Sequence, residues 1–207
     1  GGAGQPSKES FVGNGMAYLF VRFSFNASVF QQGIPLITAR IKGKKIYDPR
    51  ETGHSATDPS TWEYSDNAAL CIRDFLSQPA GLNDSEIDDA VIQVAANTSD
   101  ELVSLAGGGS EPRYTINGVV RSNQSYGDVL QEMTTACAGT LFWGGGKWKL
   151  TVGEYNAPTK TLTLDDLRSG ISLSTRNNLR DQFNRVQGVF TDASNGFIPA
   201  DYPPIVS

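Results

Sequence analysis

Histidine chemistry in this chain would depend on one side chain, because His54 is the only histidine. A zinc site or a catalytic triad needs an imidazole together with further ligands or a positioned nucleophile. His54 lies in a polar loop with no neighbouring cysteine, and no G-x-S-x-G motif is present to hold a serine nucleophile. The sequence therefore predicts no metal site and no nucleophilic catalysis.

Two pairs of adjacent aspartates could share acid and base roles in glycoside cleavage. They are Asp88–Asp89 and Asp165–Asp166. Adjacent residues on a helix point in different directions, and carboxylates in a first helical turn are stabilised by the helix dipole. We interpret both pairs as first-turn charges, with Ser85 and Thr163 as nearby caps, and predict that the chain is not an enzyme.

One glycine-rich segment, Gly144–Lys147, ends like a phosphate-binding loop. Trp148 stands where such a loop has the Ser or Thr that binds magnesium. A strand rather than a helix is predicted to follow, so no helix N-terminus would face a phosphate. The better interpretation is a hairpin turn, and Gly107–Gly109 is similarly interpreted as a loop tip. No cofactor is predicted.

The three tryptophans are the candidate contact residues for another subunit or a ligand. Trp143 and Trp148 face each other across the predicted hairpin, and Trp62 lies in the loop before the first predicted helix. Aromatic hairpins can stack sugars, but cross-strand aromatic packing explains the same pattern and is the favoured interpretation. Sugar binding stays an open alternative.

Charge and hydropathy argue against two classes of partner. The chain has 17 Lys and Arg against 22 Asp and Glu, a net charge of -5, so a nucleic acid would meet a repelling field. The basic residues from Arg40 to Lys45 form only a short cluster, typical of a solvated strand face. No segment approaches the roughly 20 apolar residues of a membrane helix. We expect neither nucleic-acid recognition nor a membrane span.

The N-terminus and the cysteines indicate where the protein is made. No basic segment followed by an apolar one opens the chain, and residues 1–15 are predicted to be a flexible lead-in. Cys71 and Cys137 lie among apolar neighbours in predicted helices and are interpreted as reduced, buried thiols, with a disulfide between them left open. These features favour synthesis in a cytoplasm.

Apolar residues at helical spacing predict four helices in the middle of the chain. Their ranges are Ser65 or Asp66 to Leu76 before Pro79, Asn83 to Ala95, Ser99 to Leu105, and Ser125 to Ala138. The second helix is predicted to bury an apolar stripe made of Ile87, Ala90, Val91, Val94 and Ala95. The last is expected to end at Gly139 in the left-handed conformation that glycine favours.

Alternating apolar residues and turn signals predict strands on both sides of these helices. Their ranges are Met16–Phe25, Ile37–Ile41 turning at Gly43 into Lys45–Tyr47, Arg113–Val120, Thr140–Trp143 with Lys147–Val152, Thr161–Thr163 with Ile171–Ser174, and Asn184–Phe190. The first strand is apolar on both faces and is expected to be covered on both sides.

The order of these elements predicts an α+β fold in which one module is inserted into another. Residues 16–50 and 159–207 would form a β module, either a sheet or a small barrel. Residues 51–158 would form the inserted α+β module of helices, a strand and a β-hairpin. The terminal strands would pair with the early ones to complete the outer sheet.

Several motifs, in order along the chain, resemble the tail tip, or central tail hub, proteins of long-tailed bacteriophages, the tip attachment protein J family. The matching segments are Lys45–Arg50, Trp62, Tyr64–Leu76, Ile87–Ala90, Arg113–Gly118, Gly139–Leu141, Gly145–Trp148, Arg180, Phe183–Val186 and Asp201–Pro204. They extend from about Ile41 to Pro204. Ala68 stands where the family often has proline. This difference does not affect the predicted helix, because alanine extends a helix at least as well as proline does.

The resemblance implies a structural virion component, a hub domain that assembles around the tail axis at the distal end of the tail tube, usually as a trimer. It implies contacts with other tail proteins, a location in the virion tail after synthesis in the bacterial cytoplasm, and host recognition through regions outside this chain. Two alternatives are a carbohydrate- or receptor-binding module of a tail fibre and a tail-associated cell-wall hydrolase. We expect subunit contacts through the β module and the tryptophan hairpin.

Overall fold

The computed structural model describes residues 18–24, 26, 33, 36–105, 108–155, 157–170, 172, 184–192, 195–202 and 205–206. The chain divides into two compact units, Gly1–Arg40 and Ile41–Ser207. The described part of the second unit contains three α-helices and short strands in five two-stranded antiparallel sheets. The predicted α+β fold class is confirmed, and the predicted division into an outer and an inserted module stays a prediction.

The helices are α1 (Ala68–Ser77), α2 (Asp89–Asp100) and α3 (Tyr126–Ala136). The strands are β1 (Lys45–Ile46), β2 (Glu63–Tyr64), β3 (Leu102–Ser104), β4 (Ser110–Pro112), β5 (Thr140–Gly144), β6 (Lys147–Thr151), β7 (Arg185–Val186), β8 (Val189–Asp192), β9 (Ile198–Asp201) and β10 (Ile205–Val206). The pairs are β1 with β2, β3 with β4, β5 with β6, β7 with β10, and β8 with β9.

Helix α1 begins later than the sequence predicted, because Asn67 rather than Ser65 or Asp66 caps it. The Asn67 side-chain oxygen accepts hydrogen bonds from the backbone N–H groups of Ala69 and Leu70. Its amide nitrogen donates to the Ala96 carbonyl, which lies in α2. One buried asparagine therefore both starts α1 and joins it to α2.

Helix α2 and the residues before it bury only part of the predicted apolar stripe, namely Ile87 and Ala95. Asp88 is its N-cap, and a short 3-10 helix, Asp84–Glu86, precedes it. The buried side chains are Ile92, Ala95, Ala96, Thr98 and Ser99, whereas Val94 is exposed. Of the predicted stripe, Ala95 is buried and Val91 is half-buried, whereas Ala90 and Val94 are exposed, because the face centred on Ile92, Ala95 and Ala96 is the one that meets the core.

The predicted helix Ser99–Leu105 is wrong. Helix α2 continues to Asp100, and Glu101 then adopts an extended conformation with φ -56° and ψ 130°. The chain enters β3, which pairs with β4 across a loop containing Gly108 and Gly109 at positive φ. Glycine freedom at this reversal is what allows the short hairpin to form.

Several predicted strands are also wrong. Residues 36–44 have no regular structure, and β1 pairs with β2 instead of with Ile37–Ile41. In the segment Arg113–Val120 only Thr115 makes a bridge, to Asn67. The described residues of the first predicted strand, 18–24, are not in a strand, and Met16, Ala17 and Phe25 lie outside the described residues. Local alternation alone did not identify a hydrogen-bonding partner for these segments.

The end of α3 differs from the prediction in an informative way. Ala138, with φ 47°, takes the left-handed position that was expected for Gly139. A Cβ atom at Gly139 would lie 2.8 Å from the Cys137 sulfur and 2.8 Å from the Thr151 carbonyl oxygen. Gly139 is therefore required by the close approach of β6 to the end of α3 rather than by its dihedral angles.

The described C-terminal residues form small paired strands. The predicted strand Asn184–Phe190 is interrupted between β7 and β8, where Gly188 packs against the Tyr202 ring. Thr161–Thr163 is not a strand and instead precedes a 3-10 helix, Leu164–Asp166. Most of the predicted strand Ile171–Ser174 lies outside the described residues.

The hydrophobic core lies among α1, α2, the end of α3 and β6. Its fully buried members include Leu70, Ile72 and Leu76 of α1, Ile92 of α2, and Leu150 of β6. Cys137 is also buried in this core and Cys71 lies at its edge, and both are free thiols. Among the described helices, none has the length and apolar character that crossing a membrane requires.

Candidate subunit-contact site

The hairpin of β5 and β6 presents two of the three candidate tryptophans together. Trp143 and Trp148 are directly opposite in the strand register, with ring centroids 5.6 Å apart and planes at 71°. Gly145 and Gly146 form the turn, both at positive φ, as a two-residue hairpin turn requires. The predicted cross-strand tryptophan pair is confirmed. Trp143 is 53% exposed, so one indole of the pair faces solvent.

The base of this hairpin is fixed to the core. Leu150 is fully buried, and Trp148 packs partly against the same cluster. The Asp88 N–H donates to the Trp148 carbonyl at 2.9 Å, and the Asp88 carboxylate lies 3.2 Å from the Lys149 ammonium. The Lys149 ammonium donates a hydrogen bond to the Asp88 carboxylate, and this bond lowers the pKa of Asp88. The N-terminus of α2 therefore holds the orientation of β6, while the residues at the tip of the hairpin are exposed to solvent.

Trp62 has a different environment from the other two tryptophans. It is only 5% exposed, and its indole N–H donates to the Ser55 carbonyl at 2.7 Å. The Lys44 ammonium lies 6.0 Å from the centre of its ring. These contacts fix the loop before α1, and they leave little of the Trp62 ring for a partner to touch.

His54 lies beside a shallow cleft of about 400 Å³. The cleft is lined by Asp48, Glu51, Glu63 and Tyr64 among others. The His54 Nδ1 atom accepts a hydrogen bond from the Asp48 N–H at 3.1 Å, so the imidazole supports the turn that precedes it. Within the described ranges, no three potential metal-ligating side chains come together.

The paired aspartates are engaged in structural contacts. Asp88 caps α2, and Asp89 accepts hydrogen bonds from Arg73. Asp166 accepts from the Thr163 N–H and hydroxyl, which confirms Thr163 as a cap. Ser85 is not a cap, because it lies inside the 3-10 helix that precedes α2.

The Cys71 thiol is also unsuited to nucleophilic chemistry. Burial raises its pKa to about 12, and its sulfur lies 3.8 Å from the Ser65 carbonyl. A thiol with so high a pKa is almost entirely protonated at neutral pH, and only the thiolate is a good nucleophile.

An arginine that the sequence placed on an apolar helix face is the centre of a buried ion network. The side chain of Arg73 is 3% exposed, and it bonds Asp89 at 2.8 Å and Asp84 at 3.0 Å. Its guanidinium lies 4.4 Å from the centre of the Tyr47 ring. Arg73 thereby ties α1 to the start of α2. The signal in the sequence was a single cation within the apolar stripe of α1.

A second arginine, Arg50, ties the loop after β1 to the other end of α2. It bonds the Asp48 carboxylate at 2.8 Å and, through its other terminal nitrogen, Asp100 at 2.8 Å and Asn97 at 3.1 Å. Sequence reasoning assigned no role to this residue. Its position directly after Pro49 gave no indication of a contact with a residue 50 positions further along the chain.

Acidification should selectively weaken the Arg50 network. Burial alone would raise the pKa of Asp48, but the hydrogen bonds and charge of Arg50 outweigh it and lower that pKa. A carboxyl whose pKa is lower in the folded state stabilises the fold above its ordinary pKa of about 4, and this contribution is lost as the pH falls through the folded value.

We therefore expect Asp48→Asn to lower the free energy of unfolding by about 1–2 kcal/mol at pH 7, the loss of a charge-assisted hydrogen bond. The difference from the unchanged chain should shrink as the pH falls below about 4. Urea unfolding at pH 7, 4 and 3 measures both quantities. A difference that stays constant across this range would show that the Asp48 carboxylate contributes nothing through its charge.

The chain was compared with known proteins, and no protein-family model matches it. It is similar to tip attachment protein J of Escherichia phage SECphi27, with 24% identity over 183 residues that cover 83% of this chain and 15% of that protein. It is also similar to tip attachment protein J of Escherichia phage SECphi4, with 29% identity over 140 residues that cover 62% of this chain and 12% of that protein. This similarity supports a phage tail protein family and no finer assignment. The chain corresponds to only a small part of either relative.

Proposed function

We propose that this chain is a structural domain of a phage tail tip, a hub component that assembles at the distal end of the tail tube and supports host attachment and genome delivery. The observation that carries the proposal is the similarity, over most of this chain, to two proteins named tip attachment protein J. The tryptophan hairpin supplies a surface suited to subunit contact, because exposed aromatic residues are enriched in protein interfaces.

The arrangement of charged groups supports a scaffold rather than an enzyme. Arg73 pairs with Asp89 and Arg50 with Asp48, contacts that join helices and loops, while Asp88 pairs with Lys149 of the hairpin. Each of these carboxylates is paired with a cation of the fold, as expected of groups that hold elements together. The function proposed is therefore non-enzymatic and requires no cofactor.

The partners proposed are further copies of the chain, as a trimer in the virion, and other tail proteins. The chain would be made in the bacterial cytoplasm and end in the virion tail. Host-surface contact would use regions outside this chain, and the net charge of -5 argues against nucleic-acid recognition. Residues 16–50 and 159–207 would form the outer β module of the hub around the inserted residues 51–158.

Labelling of intact particles tests the location. An antibody raised against the purified chain, detected with gold in electron micrographs of phage particles from the source, should mark one end of the tail. Particles treated with the preimmune serum are the control. Gold on the capsid, along the tube or nowhere on the particle would contradict the proposal.

Replacement of Trp143 and Trp148 by serine should abolish self-association of the purified chain. The double change removes the exposed Trp143 ring and the half-buried Trp148 ring beside it, and aromatic anchors commonly dominate interface energies. Light scattering at increasing concentration measures the mass. Tyr155→Ser is a matched control, because Tyr155 is exposed but lies outside the hairpin. An unchanged mass for the double variant would show that the two indoles do not contribute to self-association.

A carbohydrate-binding module is the second candidate function. It is favoured by the exposure of Trp143 beside the edge-on Trp148 ring, an arrangement on which a sugar ring could stack. Binding of the chain to a glycan array, lost with Trp143→Ser, would support this function over subunit contact.

A further inference from the structure

Strand β5 is an open edge of the hairpin sheet. The residues flanking a two-residue turn exchange hydrogen bonds, and bonded pairs then alternate along an antiparallel ladder. With Gly144 opposite Lys147, the residues Leu141 and Trp143 direct their N–H and C=O groups away from β6. Within the described part of the chain, these outward groups have no backbone partner.

At the opposite edge of the hairpin, an outward backbone group of β6 is already paired. The outward carbonyl of Trp148 in β6 accepts the Asp88 N–H, and Ile87 forms a parallel bridge with the same residue. Strand β6 also carries Lys147 and Lys149, whereas β5 contains no charged residue and no proline. Charges and prolines are the usual protection of an exposed edge against strand addition. The open edge of β5 is therefore also an unprotected one.

Residues 18–24 have the sequence pattern of a strand but do not form one. In an extended chain, residues 18–24 would place Leu19, Val21 and Phe23 on one face and Tyr18 and Phe20 on the other, a pattern that suits a strand covered on both sides. They are not in a strand, and their apolar side chains are exposed, with Tyr18 at 76% and Phe20 at 75%. A segment with this composition gains most when its backbone pairs with an edge and its side chains are covered.

We propose that the segment 18–24 of one copy pairs with β5 of a neighbouring copy and extends the hairpin to three strands. This inference rests on the proposed function, since it supplies the contact through which copies of the tail component would assemble. Because donor and acceptor are different surfaces, each copy gives one strand and receives one. Contacts of this head-to-tail kind form a ring when the rotation between copies closes, and the proposed trimer around a tail axis is such a ring.

The exposed area is of the size that such a contact needs. An aromatic side chain covers about 150–250 Å², so the exposed parts of Tyr18, Leu19, Phe20, Val21 and Phe23 amount to roughly 500 Å². Backbone pairing adds to this, and a stable interface needs roughly 800 Å² per partner. The 16 residues from 25 to 40 can span about 55 Å at most when extended, so reaching a neighbouring copy is within the length of the chain.

Cysteine cross-linking tests the contact directly. One tagged chain carries Val21→Cys and an untagged chain carries Phe142→Cys, and the two are mixed before treatment with a short bis-maleimide. A tagged–untagged product at a yield at least tenfold above that of unchanged chains, whose own cysteines are buried or half-buried, supports the proposal. A dominant product between two Phe142→Cys chains would instead show that β5 pairs with itself, and would overturn it.

The double variant Val21→Cys with Phe142→Cys distinguishes a neighbour from the same chain. An internal cross-link whose yield is unaffected by dilution would overturn pairing between copies. If the unchanged chain is monomeric at every concentration, self-assembly in the proposed function fails as well. If an oligomer forms but none of these cross-links does, strand pairing alone fails.

Two variants of Trp143 distinguish the contribution of its backbone N–H from that of its indole ring. Trp143→Pro removes the outward N–H and leaves the bonds between β5 and β6, whereas Trp143→Ala removes the same indole and keeps that N–H. Sedimentation should give a dissociation constant for the proline variant at least tenfold above that of the alanine variant. Equal constants would mean that no strand is added at this edge.

Discussion

Arg73→Ala should lower the free energy of unfolding by about 3 kcal/mol, within the range for removing one partner from a buried ion pair. The side chain of Arg73 is almost completely buried, and it holds both Asp84 and Asp89 while stacking on Tyr47. Its loss leaves two carboxylates close together without their cation. Both carboxylates are partly exposed, so water compensates them in part and the loss stays below the upper limit.

Urea unfolding followed by circular dichroism measures this loss. Arg113→Ala is the matched control, since Arg113 and Glu101 form a more exposed pair that should contribute less than about 1 kcal/mol. Equal losses from the two changes would contradict the proposed importance of the buried network. Arg73→Lys should recover part of the difference, because lysine keeps the charge but cannot bond both carboxylates with the guanidinium geometry.

Leu150→Ala should cost about 3 kcal/mol of unfolding free energy, the usual loss when a buried leucine leaves a cavity. Leu150 is fully buried, and it lies in the strand that carries Trp148. The change should therefore also loosen the hairpin from α2. Thermal melting reports the stability, and tryptophan fluorescence reports the environment of the hairpin.

Leu102→Ala is the control for this prediction, because Leu102 is also in a strand but is 70% exposed. The same chemical change at that position should alter the free energy by no more than about 0.5 kcal/mol. A small effect at Leu150 would mean that the hairpin is not anchored through the core. The fluorescence of the Leu102 variant should match that of the unchanged chain.

The sequence predicted the elements whose signals are local. Helices α1 and α3 and the tryptophan hairpin were found because capping residues, apolar periodicity and a glycine turn lie within a few residues of one another. The N-cap of α1 was missed because Asn67 is selected by a contact with Ala96, which is distant in sequence. A local pattern carries no information about that second bond.

The strand predictions failed for a related reason. A strand is defined by its partner, and β1 pairs with Glu63–Tyr64 across a long loop rather than with the nearer Ile37–Ile41. Ile46 fixes this choice by entering the core, while Ile41 remains exposed. Of the candidate contact residues, Trp143 and Trp148 were correctly placed together, but the burial of Trp62 depended on the Ser55 carbonyl and could not be read from its neighbours.

Helix α2 is fastened by an arginine at each end, Arg73 near its first turn and Arg50 near its last. Fraying normally starts at the free ends of a helix, where the backbone groups are unpaired. A helix held at both ends resists unwinding, because neither terminus can unravel without breaking a contact to another part of the fold.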